Sequence, residues 1–381
     1  MKSTTDLLVY RRNLTTGTLS VFPTCSLDVL DELFEIAERR NPKRAFLFVS
    51  KVLGRHIPVS PALMRKTYQQ LCQQFPATLE GPILFIGMAE TAVGLGAGVF
   101  DEVRKCHEDS VYLTSTRHPV EGGELLCEFK ENHSHATDHL LYLPHEPQLK
   151  QRVLNAKTLI LIDDEATTGN TFINLLQALR EAGGLTHIQQ VIAVTLTDWS
   201  GDSLKARCPL PIHTISLVQG QWEWQKNEDA PVLVMPNVNI TAKGTYPILG
   251  KQSWGRLGMS IPAGDLGHHI CVTPGEKILV LGSGEFVWEP FLLAERLEQQ
   301  GAEVKYSSTT RSPISVNYAI QSAIVFEDNY GLGIPNFVYN VAHQKFTRIL
   351  LCIETAKESV DTALLDELKK VAPVVEVISY E

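Results

Sequence analysis

Residues 159–171 read LILIDDEATTGNT, and this run decides the fold. Four consecutive apolar residues, Leu159, Ile160, Leu161 and Ile162, predict a strand covered on both faces, as in a parallel sheet. Asp163 and Asp164 stand where that strand ends. A turn of small residues, Ala166-Thr167-Thr168-Gly169-Asn170-Thr171, then enters a helical stretch, FINLLQALREAG. Consecutive backbone N–H groups in such a turn, at a helix N-terminus, make a cradle for phosphate. Thr167, Thr168 and Thr171 add hydroxyl donors, and Gly169 lets the backbone approach the anion closely. Two acids beside that cradle repel a phosphate ligand unless it also brings a diol, a divalent metal, or both. A sugar phosphate fits better than a nucleoside triphosphate. The nearest P-loop-like stretch, Gly244 to Gly250-Lys251-Gln252, has five intervening residues rather than four and lacks the Ser/Thr.

The pattern of apolar strand, acid pair, two residues, Thr-Thr-Gly, one residue, Thr resembles the phosphoribosylpyrophosphate (PRPP) loop of type I phosphoribosyltransferases. The resemblance implies a parallel sheet flanked by helices, PRPP and a small-molecule acceptor as substrates, and Mg²⁺ as cofactor. It assigns Asp163 and Asp164 to the ribose hydroxyls and, partly through substrate and water, to the metal shell. Ala166, Thr167, Thr168, Gly169, Asn170 and Thr171 hold the 5′-phosphate. Gly87-Met88-Ala89-Glu90-Thr91, at the end of an earlier strand, is placed like the family's pyrophosphate loop. A PRPP or nucleotide sensor without catalysis is the competing reading, since the same cradle binds without turnover.

At 381 residues the chain has room for more than one core. A formal net charge of −9 argues against nucleic acid as a partner, so an anionic substrate must be drawn in by helix ends, metal and a few basic residues. The seven cysteines are scattered and show no C-x-x-C pair, which is cytosolic usage. The N-terminus lacks a signal-peptide core, and no apolar run reaches membrane-spanning length. The cytoplasm is the expected location.

Residues 1–218 read as the phosphoribosyltransferase domain, with 1–80 a hood that selects the acceptor and 81–218 the core. In the hood, a strand is expected at Asp6–Tyr10, helices at Leu27–Arg40 and Ala62–Phe75, and an apolar run at Ala45–Val49. The Gly- and Pro-rich stretch 219–274 reads as an ordered connector, because a flexible linker would rarely carry Trp222, Trp224, Trp254, Met235 and Met259. Residues 275–381 restart the α/β pattern and echo the first domain segment by segment. ILFIGMAETAVGLG is answered by ILVLGSGEFVWEPF, and SVYLTSTRHPV by VKYSSTTRSPI, setting Arg311 against Arg117. The second copy is degenerate: DDEATTG has become Cys352-Ile353-Glu354-Thr355-Ala356-Lys357-Glu358. This unit, with Thr310-Arg311-Ser312-Pro313 inside it, resembles the TRSP domain, which follows a phosphoribosyltransferase domain in a bacterial family of tellurium-resistance and stress gene clusters. The resemblance implies a role in making a nucleoside-like metabolite. A homodimer or an intramolecular pseudo-dimer is expected.

Arg117 and Lys130 are the basic residues best placed to neutralise the leaving group, with the PVEGGE segment after Arg117 as a closing loop. Gly94, Gly96 and Gly98 lie within a helix rather than in the strand-end turn, so they predict close packing and not a dinucleotide site. His133, His135 and His139 resemble the H-x-H-x-D-H motif of metallo-β-lactamase-like hydrolases with one residue too many. His133 and His135 are better read as loop contacts over the active site, and a structural role is equally open.

Overall fold

A computed structural model describes residues 8–41, 44–130, 139–231, 234, 238, 240–248, 255–262 and 264–380. The first 80 residues hold β1 (Tyr10–Leu14), β2 (Gly17–Pro23) and helix α1 (Leu27–Leu33), followed by a hairpin of β3 (Phe34–Glu38) and β4 (Phe46–Ser50) and by helix α2 (Pro61–Cys72). The core comprises β5 (Ile83–Gly87), α3 (Val93–Val103), β6 (Ser110–Thr114), a hairpin of β7 (Glu124–Phe129) and β8 (His139–Leu143), and α4 (Pro147–Leu154). It continues with β9 (Thr158–Ile162), the two-residue β10 (Glu165–Ala166), α5 (Asn170–Glu181), β11 (Gln190–Asp198), α6 (Ser203–Arg207) and β12 (Ile212–Lys226). Five of these strands run parallel in the order β12-β11-β9-β5-β6, and β2 and β1 extend the sheet antiparallel beyond β12. Every residue of β5, β6 and β9 is buried, as a strand covered by helices on both faces requires.

The helix expected over Leu27–Arg40 stops at Leu33. Phe34–Glu38 instead pairs antiparallel with Phe46–Ser50, and Phe34 meets Phe48 edge-on at 5.0 Å. That pairing across a loop outweighs the helical spacing of the segment, which sequence periodicity alone shows. Asp6 and Leu7 of the expected first strand lie outside the described residues, and the first strand among those described begins at Tyr10. β12 carries the sheet on to Lys226, and its Trp222 and Trp224 pack on Phe46 at 4.9 and 5.1 Å.

The second unit contains β13 (Lys277–Gly282), α7 (Trp288–Gln299), β14 (Glu303–Ser308), a hairpin of β15 (Ala323–Glu327) and β16 (Pro335–Tyr339), β17 (Arg348–Cys352), α8 (Thr362–Val371) and β18 (Val374–Ile378). Its parallel order β18-β17-β13-β14 reproduces β11-β9-β5-β6. Small details repeat with it. The Tyr112 hydroxyl donates to Val93 O at 3.2 Å, and the Tyr306 hydroxyl to Val287 O at 3.0 Å. Ser115 N–H donates to Gly87 O, and Thr309 N–H to Gly282 O, both at 2.9 Å. Two straps are exchanged between the copies: Val59 pairs with Tyr306, and Met259 with Tyr112. Gly54 and Gly255, both at positive φ, lie where a Cβ would strike those same tyrosine rings, at 2.5 and 2.9 Å. No helix among the described residues is long and apolar enough to cross a membrane.

One buried acid in α7 makes stability depend on pH. Glu289 is 1% exposed, and the Tyr380 hydroxyl bridges it to Asp265 at 2.9 and 3.2 Å. Burial, with repulsion from Asp265, pushes Glu289 up to about 7. An acid whose folded pKa is raised stabilises the fold while protonated, and that contribution is lost as pH climbs through the folded value. The Glu289→Gln variant keeps a neutral donor, so it is expected to match the wild type at pH 5. At pH 8.5 it should exceed the wild type by up to about 3 kcal/mol in denaturant titrations. Equal stability at both pH values would show that Glu289 stays ionised.

Candidate phosphoribosyl site

The acid pair and the small-residue turn sit at the carboxyl end of β9, where ligands bind in open parallel sheets. Asp163 N–H donates to Val194 O at 3.0 Å, Leu196 N–H to Asp164 O at 3.1 Å and Trp199 N–H to Ala166 O at 2.7 Å, so the turn is pinned to β11. Gly169 then takes φ +73° and caps α5, and a Cβ there would meet Leu204 at 2.8 Å. Among the described residues, the backbone N–H groups of Thr167, Thr168, Gly169 and Thr171 find no acceptor. Asn170 N–H is taken by Thr168 Oγ1 at 3.4 Å, and the four donors left around it at a helix N-terminus are the groups an anion would satisfy.

The carboxylates beside them are crowded. Burial, and then the neighbouring Glu165, push the Asp164 carboxyl above its usual range. Asp163 Oδ1 accepts the Asp164 N–H at 2.9 Å. Sequence reasoning missed two basic residues here. Arg44, between β3 and β4, pairs with Glu165 at 2.6 Å while lying over the Phe46 ring at 4.7 Å. Arg207, from α6, donates to Thr168 O and to Asn170 Oδ1 and so ties the turn to the helix behind it. Neither lies in a motif; both arrive by tertiary folding.

The second turn, Gly87-Met88-Ala89-Glu90-Thr91, follows β5, the neighbour of β9. Met88 N–H donates to Ile162 O at 2.9 Å and Ala89 N–H to Ser115 Oγ at 2.8 Å, leaving Glu90 and Thr91 N–H without an acceptor among the described residues. Glu90 adopts φ +66°, a region L-residues other than Asn and Asp seldom enter. Gly96 in α3 explains the closeness of helix and turn: a Cβ there would fall 2.8 Å from Gly87 Cα. Gly98 likewise seats the Tyr68 ring, so the glycines of α3 serve packing.

Arg117 is buried, with its Nε 2.7 Å from Glu90 Oε1. It therefore stands beside the second turn, and the segment 119–123 leads from it into β7 with Glu121 and Gly122 exposed. Lys130 follows β7, where its carbonyl accepts from Asn174 of α5 at 3.0 Å. His139 stacks on Phe129 at 4.6 Å with its Nδ1 3.0 Å from Ser115 Oγ, the group that also receives Ala89 N–H. Its contacts support the second turn. His133 and His135 lie outside the described residues. Among the described residues no group of three or more His, Cys, Asp or Glu side chains could hold a metal. A separate cavity of about 230 Å³ opens between the two units, lined by His118, Lys243, Tyr246, Arg256 and Tyr330 and by nothing from 163–171.

A family model described as phosphoribosyl transferase matches residues 33–221, and one described as the TRSP domain C-terminal to it matches residues 263–368. The chain is a phosphoribosyltransferase with a C-terminal TRSP domain. Both turns of the candidate site fall within the phosphoribosyltransferase match. Comparison with curated proteins returns no match. Among solved structures, the phosphoribosyltransferase is similar to adenine phosphoribosyltransferase from Rhodothermus marinus DSM 4252, at 18% identity and TM-score 0.33 over 51% of this chain and 97% of that one. It is also similar to the Trypanosoma brucei adenine phosphoribosyltransferase solved with AMP, pyrophosphate and ribose-5-phosphate, at 12% identity and TM-score 0.34 over 60% and 86% of the two chains. Orotate phosphoribosyltransferase from Mycobacterium tuberculosis H37Rv gives 12% identity and TM-score 0.26 over 50% and 92%.

Proposed function

We propose that the enzyme transfers the 5-phosphoribosyl group of PRPP to a nitrogen of a base-like acceptor, releasing pyrophosphate, in the synthesis of a nucleoside-like metabolite. The observation that carries this reading is the set of unaccepted N–H groups at Thr167, Thr168, Gly169 and Thr171, directly beside Asp163 and Asp164. The 5′-phosphate takes those donors and the threonine hydroxyls. Asp163 and Asp164 accept from the ribose hydroxyls, which fixes the sugar between the two turns. The bond from C1 to the diphosphate oxygen breaks with its electron pair leaving on pyrophosphate, and the acceptor nitrogen closes on C1 from the opposite face. Glu90 and Thr91 N–H, with Arg117, stabilise the charge that builds on the leaving group. Lys130, which follows β7 with its carbonyl on Asn174 of α5, adds positive charge for the same leaving group.

A divalent cation fits the acid pair. Burial and Glu165 push the Asp164 carboxyl upward, so a countercharge there favours its ionised form, and Mg²⁺ commonly uses one or two carboxylates and completes its shell with substrate oxygens and water. When bound, Mg²⁺ would neutralise the diphosphate.

Incubation of the full chain with labelled PRPP, Mg²⁺ and a fractionated small-molecule extract tests the proposal. Label is expected to pass into a new phosphoribosyl compound with equimolar pyrophosphate. PRPP bound but recovered intact with every fraction would favour the sensor reading.

A further inference from the structure

The strained Glu90 is held partly by the other domain. Its Oε1 lies 2.7 Å from Arg117 Nε of its own domain and 3.2 Å from Arg311 Nε of the TRSP domain. Arg311 is itself buried and anchored, donating to Ile240 O at 2.9 Å and Val238 O at 3.4 Å. The grip is reciprocal. Glu285, which matches Glu90 in the second copy, accepts from Arg117 N–H at 2.8 Å and from the Thr116 hydroxyl at 2.6 Å. Arg55 of the first copy donates to Gly284 O at 2.6 Å, and Arg256, its counterpart after Gly255, to Thr116 Oγ1 at 3.1 Å. Burial alone would favour a neutral Glu90, yet Arg311 first, then Arg117 and Arg55, hold its carboxyl below the usual range, against repulsion from Glu285.

The second copy has no comparable use for such a clasp. Arg348 of β17 pairs with Ile278 as Thr158 of β9 pairs with Ile83, so the register corrects the sequence match by one residue and sets Ile353 and Glu354, not Cys352 and Ile353, at the places of Asp163 and Asp164. Glu354 is fully buried, forked onto Arg256 at 2.8 and 2.9 Å and receiving the Tyr330 hydroxyl at 2.7 Å. The position is filled by protein. Its counterpart at 87–91 and 163–171 has no such filling: among the described residues the Glu90 and Thr91 N–H groups there find no acceptor.

We propose that the TRSP domain acts as a built-in partner copy, with Arg311 as the positioning residue that holds Glu90 and the 87–91 turn ready for the diphosphate. This rests on the phosphoribosyl reading. A carboxylate at positive φ keeps that conformation only while its surroundings oppose relaxation. Two guanidinium groups on one oxygen supply the opposition, and one of them crosses from the other domain. Relaxation of Glu90 would turn the Glu90 and Thr91 N–H groups away from the leaving group, and small displacements at such a centre cost large factors.

Arg311→Ala and Arg311→Lys are to be compared with the wild type in the full chain, by calorimetry with PRPP, pyrophosphate and ribose 5-phosphate in Mg²⁺, with thermal melts alongside. Arg311→Ala is expected to weaken pyrophosphate and PRPP by about tenfold to a hundredfold. Ribose 5-phosphate, which meets only the 163–171 side, should bind as before, and Arg311→Lys should recover part of the loss. Unchanged binding of all three ligands would overturn the proposal. So would an equal loss for all three, which is the mark of a merely structural residue. A wild-type chain that binds none of them would remove the phosphoribosyl reading itself.

Discussion

Replacing Asp163 and Asp164 together by Asn is expected to abolish phosphoribosyl transfer, by at least about a thousandfold, while the protein melts no lower than the wild type. The two halves of that expectation have one cause. Burial and the neighbouring Glu165 push the Asp164 carboxyl upward, so that acid opposes folding when charged, and an amide there removes that cost. The same change removes the acceptors for the ribose hydroxyls and the negative charge that would hold Mg²⁺ against the diphosphate. Loss of turnover without loss of stability marks groups kept for chemistry rather than for the fold. Pyrophosphate release in parallel with melting curves measures both. A double variant that turns over at the wild-type rate would remove these carboxylates from the reaction.

The largest effect on stability is expected from Arg256→Ala. Arg256 is 2% exposed and sits between two buried carboxylates, with Glu285 at 3.0 Å and Glu354 at 2.8 Å. It links the exchanged strap at 255–259 to the turn after β13 and to the end of β17. Removing one partner of a buried ionic cluster leaves the others uncompensated, at a cost of about 3–5 kcal/mol. The triple variant Arg256→Met, Glu285→Gln, Glu354→Gln should recover much of that, because the loss comes from stranded charge more than from missing contacts. Denaturant midpoints of the single and triple variants decide it. A triple variant no more stable than the single one would mean that the cluster contributes through its geometry.

The 159–171 run was legible because its signals are local: a strand with no polar residue, two acids, a glycine where the chain must turn left-handed. The echo of Gly87 and Glu90 in Gly282 and Glu285 was legible for the same reason, since matched turns keep matched spacing. Phe34–Glu38 carries helical spacing yet forms a strand, because its partner, Phe46–Ser50, lies across a loop and periodicity does not see it. Arg44 on Glu165 and Arg207 on Thr168 were invisible, as surface-type residues brought to the site by folding. Arg117 and Arg311 could be aligned in sequence. Their convergence on one oxygen of Glu90 is a product of the two domains facing each other. Periodicity thus gave the frame, and long-range contacts supplied the electrostatics of the site.

The turn after β9 is expected to grip the phosphate of an activated pentose, and crystals of the full chain grown with PRPP and Mg²⁺ would show it. Density for the 5′-phosphate is predicted against the N–H groups of Thr167, Thr168, Gly169 and Thr171, with the ribose hydroxyls on Asp163 and Asp164. PRPP bound elsewhere, or saturating PRPP with that turn left empty, would contradict it.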